Sequence, residues 1–139
     1  EFIKNTPGNG KFLYGAYERF SNEDLLDLLH SWGLKTKVER GGRVFPESDS
    51  ALEVRNIFMK ILKKYNVQVH LNEPVTSITV QENRVVGVTT DKEQYACDAA
   101  IICTGGASYP LTGSTGDGYA LAEKVGHTIT DIRPSLVPV

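Results

Sequence analysis

Two glycine clusters stand out as the residues best placed to do chemistry. The first is Thr104-Gly105-Gly106, directly after the apolar run Ala99-Ala100-Ile101-Ile102-Cys103. Where side chains are missing at the end of a strand, a ligand can approach the backbone itself. In open α/β sheets that is also where ligands gather, beyond the carboxyl ends of the strands. The second cluster, Gly113-Ser114-Thr115-Gly116-Asp117-Gly118, opens straight into a helical pattern. The first N–H groups of a helix are unpaired and its dipole is positive there, which favours an anion or an electron-rich group. A Gly-Gly pair after a strand is, by itself, what a turn looks like. Two such clusters in quick succession, separated by Pro110, weigh against turns alone and toward a binding wall. A P-loop is excluded, because no Gly-Lys-Ser/Thr follows either cluster.

Other residues offer less. Arg40 and Arg43 flank Gly41-Gly42 and could meet a phosphate or an anionic substrate, although a solvated hairpin explains them as well. Asp117 either contacts a ligand or simply suits a helix N-terminus. His30 and His70 read as structural or exposed, and His127 as a satisfied strand-edge histidine. Tyr109 and Tyr119 flank the glycine loops, where they could pack on a ring. No Ser/His/Asp or Cys/His arrangement stands out, so no catalytic side chain is assigned. Two cysteines, Cys97 and Cys103, are too few for a disulfide framework or a metal site. Both lie in or beside an apolar strand, so they are expected to be buried free thiols in a reducing, cytoplasmic setting.

The elements that must position these residues follow from periodicity. Pro7-Gly8-Asn9-Gly10 reads as a turn and leads into a short helix ending near Phe20. Ser21-Asn22-Glu23-Asp24 is an N-cap signature for a helix that carries Leu25, Leu28, Leu29 and Trp32 and stops at Gly33. Residues 34–46 alternate around Gly41-Gly42, which predicts a hairpin closed by Pro46. The longest helix spans about 50–65, capped by Ser48 or Ser50. Its stripe of Val54, Phe58, Ile61 and Tyr65 calls for a large partner surface. Val67 to Leu71 reads as a short strand, reached by a crossover onto a parallel sheet. Val75 to Val80, Arg84 to Thr90 and Gln94 to Cys97 form an antiparallel meander. Ala99 to Cys103 is expected to be a strand buried on both faces, and Asp117 to Val125 a helix stopped by Gly126.

Composition sets the class. The chain has 139 residues, 40% hydrophobic and 23% charged, the balance of a globular protein rather than a disordered one, and its succession of predicted helices and strands reads as an α/β fragment. Its net charge of -2, with Lys and Arg dispersed, gives no nucleic-acid surface and no basic membrane patch. No apolar run approaches the ~18 residues that span a bilayer.

The span CTGGASYPLTGSTGDGYALAEKVGHTITDIRPSLVPV resembles the bacterial BaiN/YhiN-type FAD-dependent oxidoreductases, as do GGRVFPESDSALEV and NTPGNGKFL upstream. The TGDG segment is also similar to one in succinate dehydrogenase and fumarate reductase flavoproteins. The resemblance implies part of a glutathione-reductase-like FAD/NAD(P)-binding domain over residues 1–134, with parallel strands, a three-stranded antiparallel meander and flanking helices. Residues 135–139 would then begin a substrate domain. It implies FAD as cofactor, NAD(P)H as a candidate electron donor and a small-molecule substrate. The backbone of Val75 would meet the adenine, Thr104, Gly105 and Gly106 would lie against the dinucleotide, and Thr115, Gly116, Asp117 and Gly118 would approach the flavin side. Cys103 stands where Ala is usual. The family's G-x-G-x-x-G unit, which holds the pyrophosphate, is absent from these residues and is expected before residue 1. An isolated chain of this kind is expected to self-associate through its unpaired apolar strand, and to be inactive by itself. A fumarate-reductase-like flavoprotein and an inert structural or interaction module are the alternative readings.

Overall fold

The computed structural model describes residues 3–6 and 8–133; Pro7 of the expected first turn and the expected domain boundary at 135–139 lie outside the described residues. The chain divides into two compact units, residues 1–69 and 70–139.

The first unit begins with 3-10 turns at Ile3–Asn5 and Gly10–Leu13, the second running into helix α1 (Tyr14–Arg19). Helix α2 (Asn22–Ser31) starts at the N-cap expected at Ser21, which the structure completes as a capping box with Asp24. Ser21 Oγ accepts from the Asp24 N–H at 3.2 Å, while Asp24 Oδ2 accepts from the Ser21 N–H at 2.7 Å. Ser21 Oγ also donates to Asp24 Oδ2 at 2.7 Å, and this bond, then that from the Ser21 N–H, holds the Asp24 carboxyl below its usual range. The helix ends at Gly33, whose φ of 94° suits only glycine comfortably. The Gly33 N–H reaches His30 O at 2.9 Å and the Leu34 N–H reaches Leu29 O at 3.0 Å, which is a Schellman ending. Leu34, the hydrophobic residue such an ending places against its helix, is 4% exposed.

Strands β1 (Thr36–Glu39) and β2 (Arg43–Pro46) form the predicted hairpin, with Thr36 opposite Pro46 and Glu39 opposite Arg43. Helix α3 (Ala51–Lys64) follows. Ser50 is its N-cap residue by position, without a side-chain cap bond, and Ser48 instead donates to Glu53. Trp32 meets the Phe58 ring edge-on, with centroids 5.6 Å apart. The large partner surface expected for the α3 stripe is not found: Val54 and Ile61 are half-buried, and Phe58 and Tyr65 are exposed. Asn66, at φ 55°, ends α3 with a second Schellman pair, Asn66 N–H to Lys63 O and Val67 N–H to Leu62 O.

In the second unit, strands β3 (Val75–Gln81), β4 (Arg84–Thr90) and β5 (Gln94–Ala96) form the expected meander in the order β3-β4-β5. Glu82 and Asn83 both take positive φ, the two-residue turn whose twist matches antiparallel strands. Thr76 is an extra residue on β3, between the pairs Val75–Thr90 and Ser77–Thr89. Helix α4 (Asp117–Lys124) stops at Gly126 with a third Schellman pair, Gly126 N–H to Glu123 O and His127 N–H to Ala122 O. His127 therefore belongs to a helix ending and not to a strand edge.

Two expected strands are absent. Residues 67–71 and 99–103 carry no regular secondary structure and pair with no strand among the described residues, and Ile101 is 88% exposed. A strand exists only through its neighbour's hydrogen bonds, and every strand pair described here is antiparallel. The buried thiols fail for the same reason: Cys103 is exposed and Cys97 half-buried. Among the described residues the buried apolar side chains are Leu34 and Leu121. No helix among them is long and apolar enough to cross a membrane.

Candidate functional site

The two glycine clusters come together. The Gly116 N–H donates to Gly106 O at 3.2 Å, so the second loop closes back onto the first. Between them, Pro110–Thr112 forms a 3-10 turn, with the Thr112 N–H on Tyr109 O at 3.1 Å and the Gly113 N–H on Pro110 O at 3.0 Å. Tyr109 and Ser114 then bridge as an antiparallel pair, the Ser114 N–H reaching Tyr109 O at 3.2 Å.

Absent side chains allow this fit. A Cβ on Gly105 would stand 3.1 Å from Ser114 Oγ, and Gly105 itself takes φ +75°. A Cβ on Gly118 would collide with the Thr104 hydroxyl and come within 2.9 Å of Ile102 Cγ2. Helix α4 can thus begin directly against the end of the 99–104 run. Tyr119 lines the inner side, its ring 3.4 Å from where a Gly116 Cβ would be and its hydroxyl 3.6 Å from that of Gly106. Thr104, Gly105, Thr115 and Asp117 stay exposed along the same wall, whereas Tyr109 points its bulk to solvent.

Val75 is not part of this wall. It opens β3 near the far end of α4, where Lys124 Nζ donates to Thr76 O at 3.1 Å. Eight helical residues rise about 12 Å, so the Val75 edge and the glycine wall stand at opposite ends of α4. In the first unit, Arg40 and Arg43 belong to a solvated hairpin: Arg43 reaches Glu39 Oε2 at 3.4 Å and lies 5.5 Å over the Phe45 ring. His30 meets Thr36 Oγ1 at 2.7 Å, a structural contact.

A second polar cluster escapes the sequence reading. Glu73, with a side chain 7% exposed, accepts at Oε1 from Tyr95 Oη at 2.7 Å and from Thr90 Oγ1 at 2.8 Å. His70 Nδ1 lies 3.4 Å from Glu73 Oε2 and 3.1 Å from Tyr95 Oη, its ring edge-on to the tyrosine. The Tyr95 hydrogen bond, then that of Thr90, holds the Glu73 carboxyl below the usual carboxylate range. In return Glu73 pushes the Tyr95 phenol up from 10.0 to about 12. These residues lie 17 and 22 positions from Glu73, so no spacing rule could have joined them. Among the described residues no group of three or more His, Cys, Asp or Glu could hold a metal ion.

Residues 1–133 match the family model described as the HI0933-like protein Rossmann domain. The chain is 31% identical over 127 residues to a 3-dehydro-bile acid delta(4,6)-reductase of Clostridium scindens, covering 91% of this chain and 31% of that protein. It is 31% identical over 132 residues to a ribosomal RNA dihydrouridine synthase of Escherichia coli, covering 94% and 32%. A D-amino-acid oxidase of Bradyrhizobium diazoefficiens is 33% identical over 63 residues, 45% of this chain and 15% of that protein. The chain spans about a third of the length of the first two relatives. With nearly all of its length matched, the chain belongs to the HI0933-like Rossmann-domain family.

Proposed function

We propose that this chain supplies part of the FAD-binding domain of an oxidoreductase that moves electrons or hydride between a nicotinamide or organic substrate and an acceptor. The observation that carries the reading is the Gly116-to-Gly106 hydrogen bond, which joins two glycine clusters into one wall of exposed backbone. Its residues fit a dinucleotide, since Gly105, beside the exposed Thr104, presents bare, solvent-facing backbone where a side chain would keep a ligand away. Thr104, Gly105, Gly106, Thr115, Gly116, Asp117 and Gly118 would hold one end of the cofactor, and the Val75 backbone its adenine. When bound, FAD supplies the two-electron redox chemistry, and the chain's own task is to bind and orient it.

The names of two relatives, a delta(4,6)-reductase and a dihydrouridine synthase, both describe saturation of a carbon–carbon double bond. That supports an unsaturated organic substrate here, with NAD(P)H as donor. Residues 70–139, which carry the wall, hold twice as many acidic as basic side chains, which favours a small molecule over RNA.

The test uses the whole protein that contains this chain. It is expected to purify with FAD and to oxidise NADH or NADPH when a small α,β-unsaturated ketone is added. Failure to retain any flavin overturns the reading, and turnover with RNA alone overturns the small-molecule substrate. The 139-residue chain alone, which lacks the pyrophosphate-binding glycine unit, is expected to lose FAD on gel filtration.

A further inference from the structure

The buried Glu73 cluster lies outside the glycine wall and asks for a reason. Burying a carboxylate is costly unless it is fully hydrogen-bonded, and this one is bonded to side chains from two places along the meander. Thr90, which donates to Glu73 Oε1 at 2.8 Å, is the register partner of Val75. The same Thr90 hydroxyl accepts from the Lys92 N–H at 3.1 Å and the Glu93 N–H at 2.9 Å, so it also organises the β4–β5 turn. Tyr95, the second donor to Glu73, lies on β5 beyond that turn. The Asp91 N–H closes the ring on Pro74 O at 3.2 Å. Glu73 and Pro74 are the two residues immediately before Val75. The bonds from Thr90 and Tyr95 to Glu73, and from the Asp91 N–H to Pro74 O, therefore tie the chain entering β3 to the β4–β5 turn.

That path matters because β3 is an edge strand. An edge strand presents outward N–H and C=O groups with no strand partner. A purine offers an amino donor beside a ring-nitrogen acceptor, which a strand edge can pair only if its position is held. We infer that Glu73 is a positioning residue for the adenosine end of the cofactor, acting by locking the Val75 backbone edge to the β4–β5 turn through Thr90 and Tyr95. The inference rests on the proposed role of Val75 and deepens it. His70, beside both Glu73 and Tyr95, packs the outer side of the lock.

The experiment compares FAD with FMN, which has the flavin and no adenosine, on the full-length protein stripped of flavin. Dissociation constants are read by flavin fluorescence for wild type, Glu73→Ala, Glu73→Gln and Tyr95→Phe. Wild type is expected to prefer FAD. Glu73→Ala is expected to weaken FAD by about tenfold or more while leaving FMN unchanged, since it removes the acceptor that ties Thr90 and Tyr95 to the chain entering β3. Glu73→Gln keeps an acceptor for both donors and is expected to stay within about threefold of wild type. Tyr95→Phe removes one donor only and should show the same selective loss in smaller measure, which keeps the test open if Glu73→Ala does not fold. Equal weakening of FAD and FMN, or unchanged FAD affinity in both Glu73→Ala and Tyr95→Phe, overturns the positioning role alone. Equal wild-type affinity for FAD and FMN removes the Val75 reading, and this inference with it.

Discussion

Gly118 and Thr104 occupy adjoining space: a Cβ on Gly118 would run into the Thr104 hydroxyl and stand 2.9 Å from Ile102 Cγ2. The contact seats the first turn of α4 against the end of the 99–104 segment, and both glycine clusters depend on it. Gly118→Ala is expected to destabilise the second unit by ~1–3 kcal/mol, the usual cost of overpacking a tight site. Thermal or urea denaturation followed by circular dichroism measures it. A variant as stable as wild type would mean that α4 can shift without cost.

Gly105→Val tests the wall itself. At φ +75° a β-branched residue is strained by about 1–3 kcal/mol, and its Cβ would also press on Ser114 Oγ from 3.1 Å. In the full-length protein the expected outcome is flavin occupancy cut by about tenfold or more, read as the ratio of flavin to protein absorbance. Gly113→Ala is the matched control, because nothing lies within 4 Å of its added Cβ although its φ of +90° is strained alike.

The Glu73–Tyr95 pair sets pH limits of opposite sign. The Glu73 carboxyl is held below its usual range, so its contribution is present at neutral pH and is lost as acid protonates it. Tyr95 is raised from 10.0 to about 12, so its contribution is complete below pH 10.0 and disappears as the pH climbs toward 12. Tyr95→Phe should flatten the alkaline limb of the stability profile. It should also remove the last component of the tyrosinate absorbance titration. If that titration loses an ordinary component instead, the hydrogen bond to Glu73 is not made in solution.

The isolated chain is expected to associate. Ile101 and Leu111 stand 88% and 94% exposed, and each buried apolar side chain of this size is worth roughly 1.5–3 kcal/mol. Segment 99–103 also leaves backbone groups without a strand partner among the described residues. Light scattering across a dilution series should show the mass falling with concentration. A monomer at every concentration, with amides 99–103 protected from hydrogen exchange, would show that the chain covers this segment itself.

What the sequence by itself determined is local. The N-cap at Ser21 and the helix endings at Gly33 and Gly126 sit where expected, and the ending at Asn66 and the tight turn at Glu82-Asn83 are just as local. Each depends on residues within one turn of chain, so a short window of sequence contains its whole cause. The glycine clusters were legible as a possible site for the same reason, since a missing side chain is visible in the sequence. Tertiary structure decided the rest. An apolar run such as Val67 to Leu71 or Ala99 to Cys103 has strand character in any window, yet it becomes a strand only beside a partner, and none is described here. The union of Gly106 with Gly116, the contact of Gly118 with Thr104, and the meeting of Glu73 with Thr90 and Tyr95 join residues far apart along the chain. Such contacts depend on how β3, β4, β5 and α4 pack, because a carboxylate finds its donors in space and no residue spacing records where they will be.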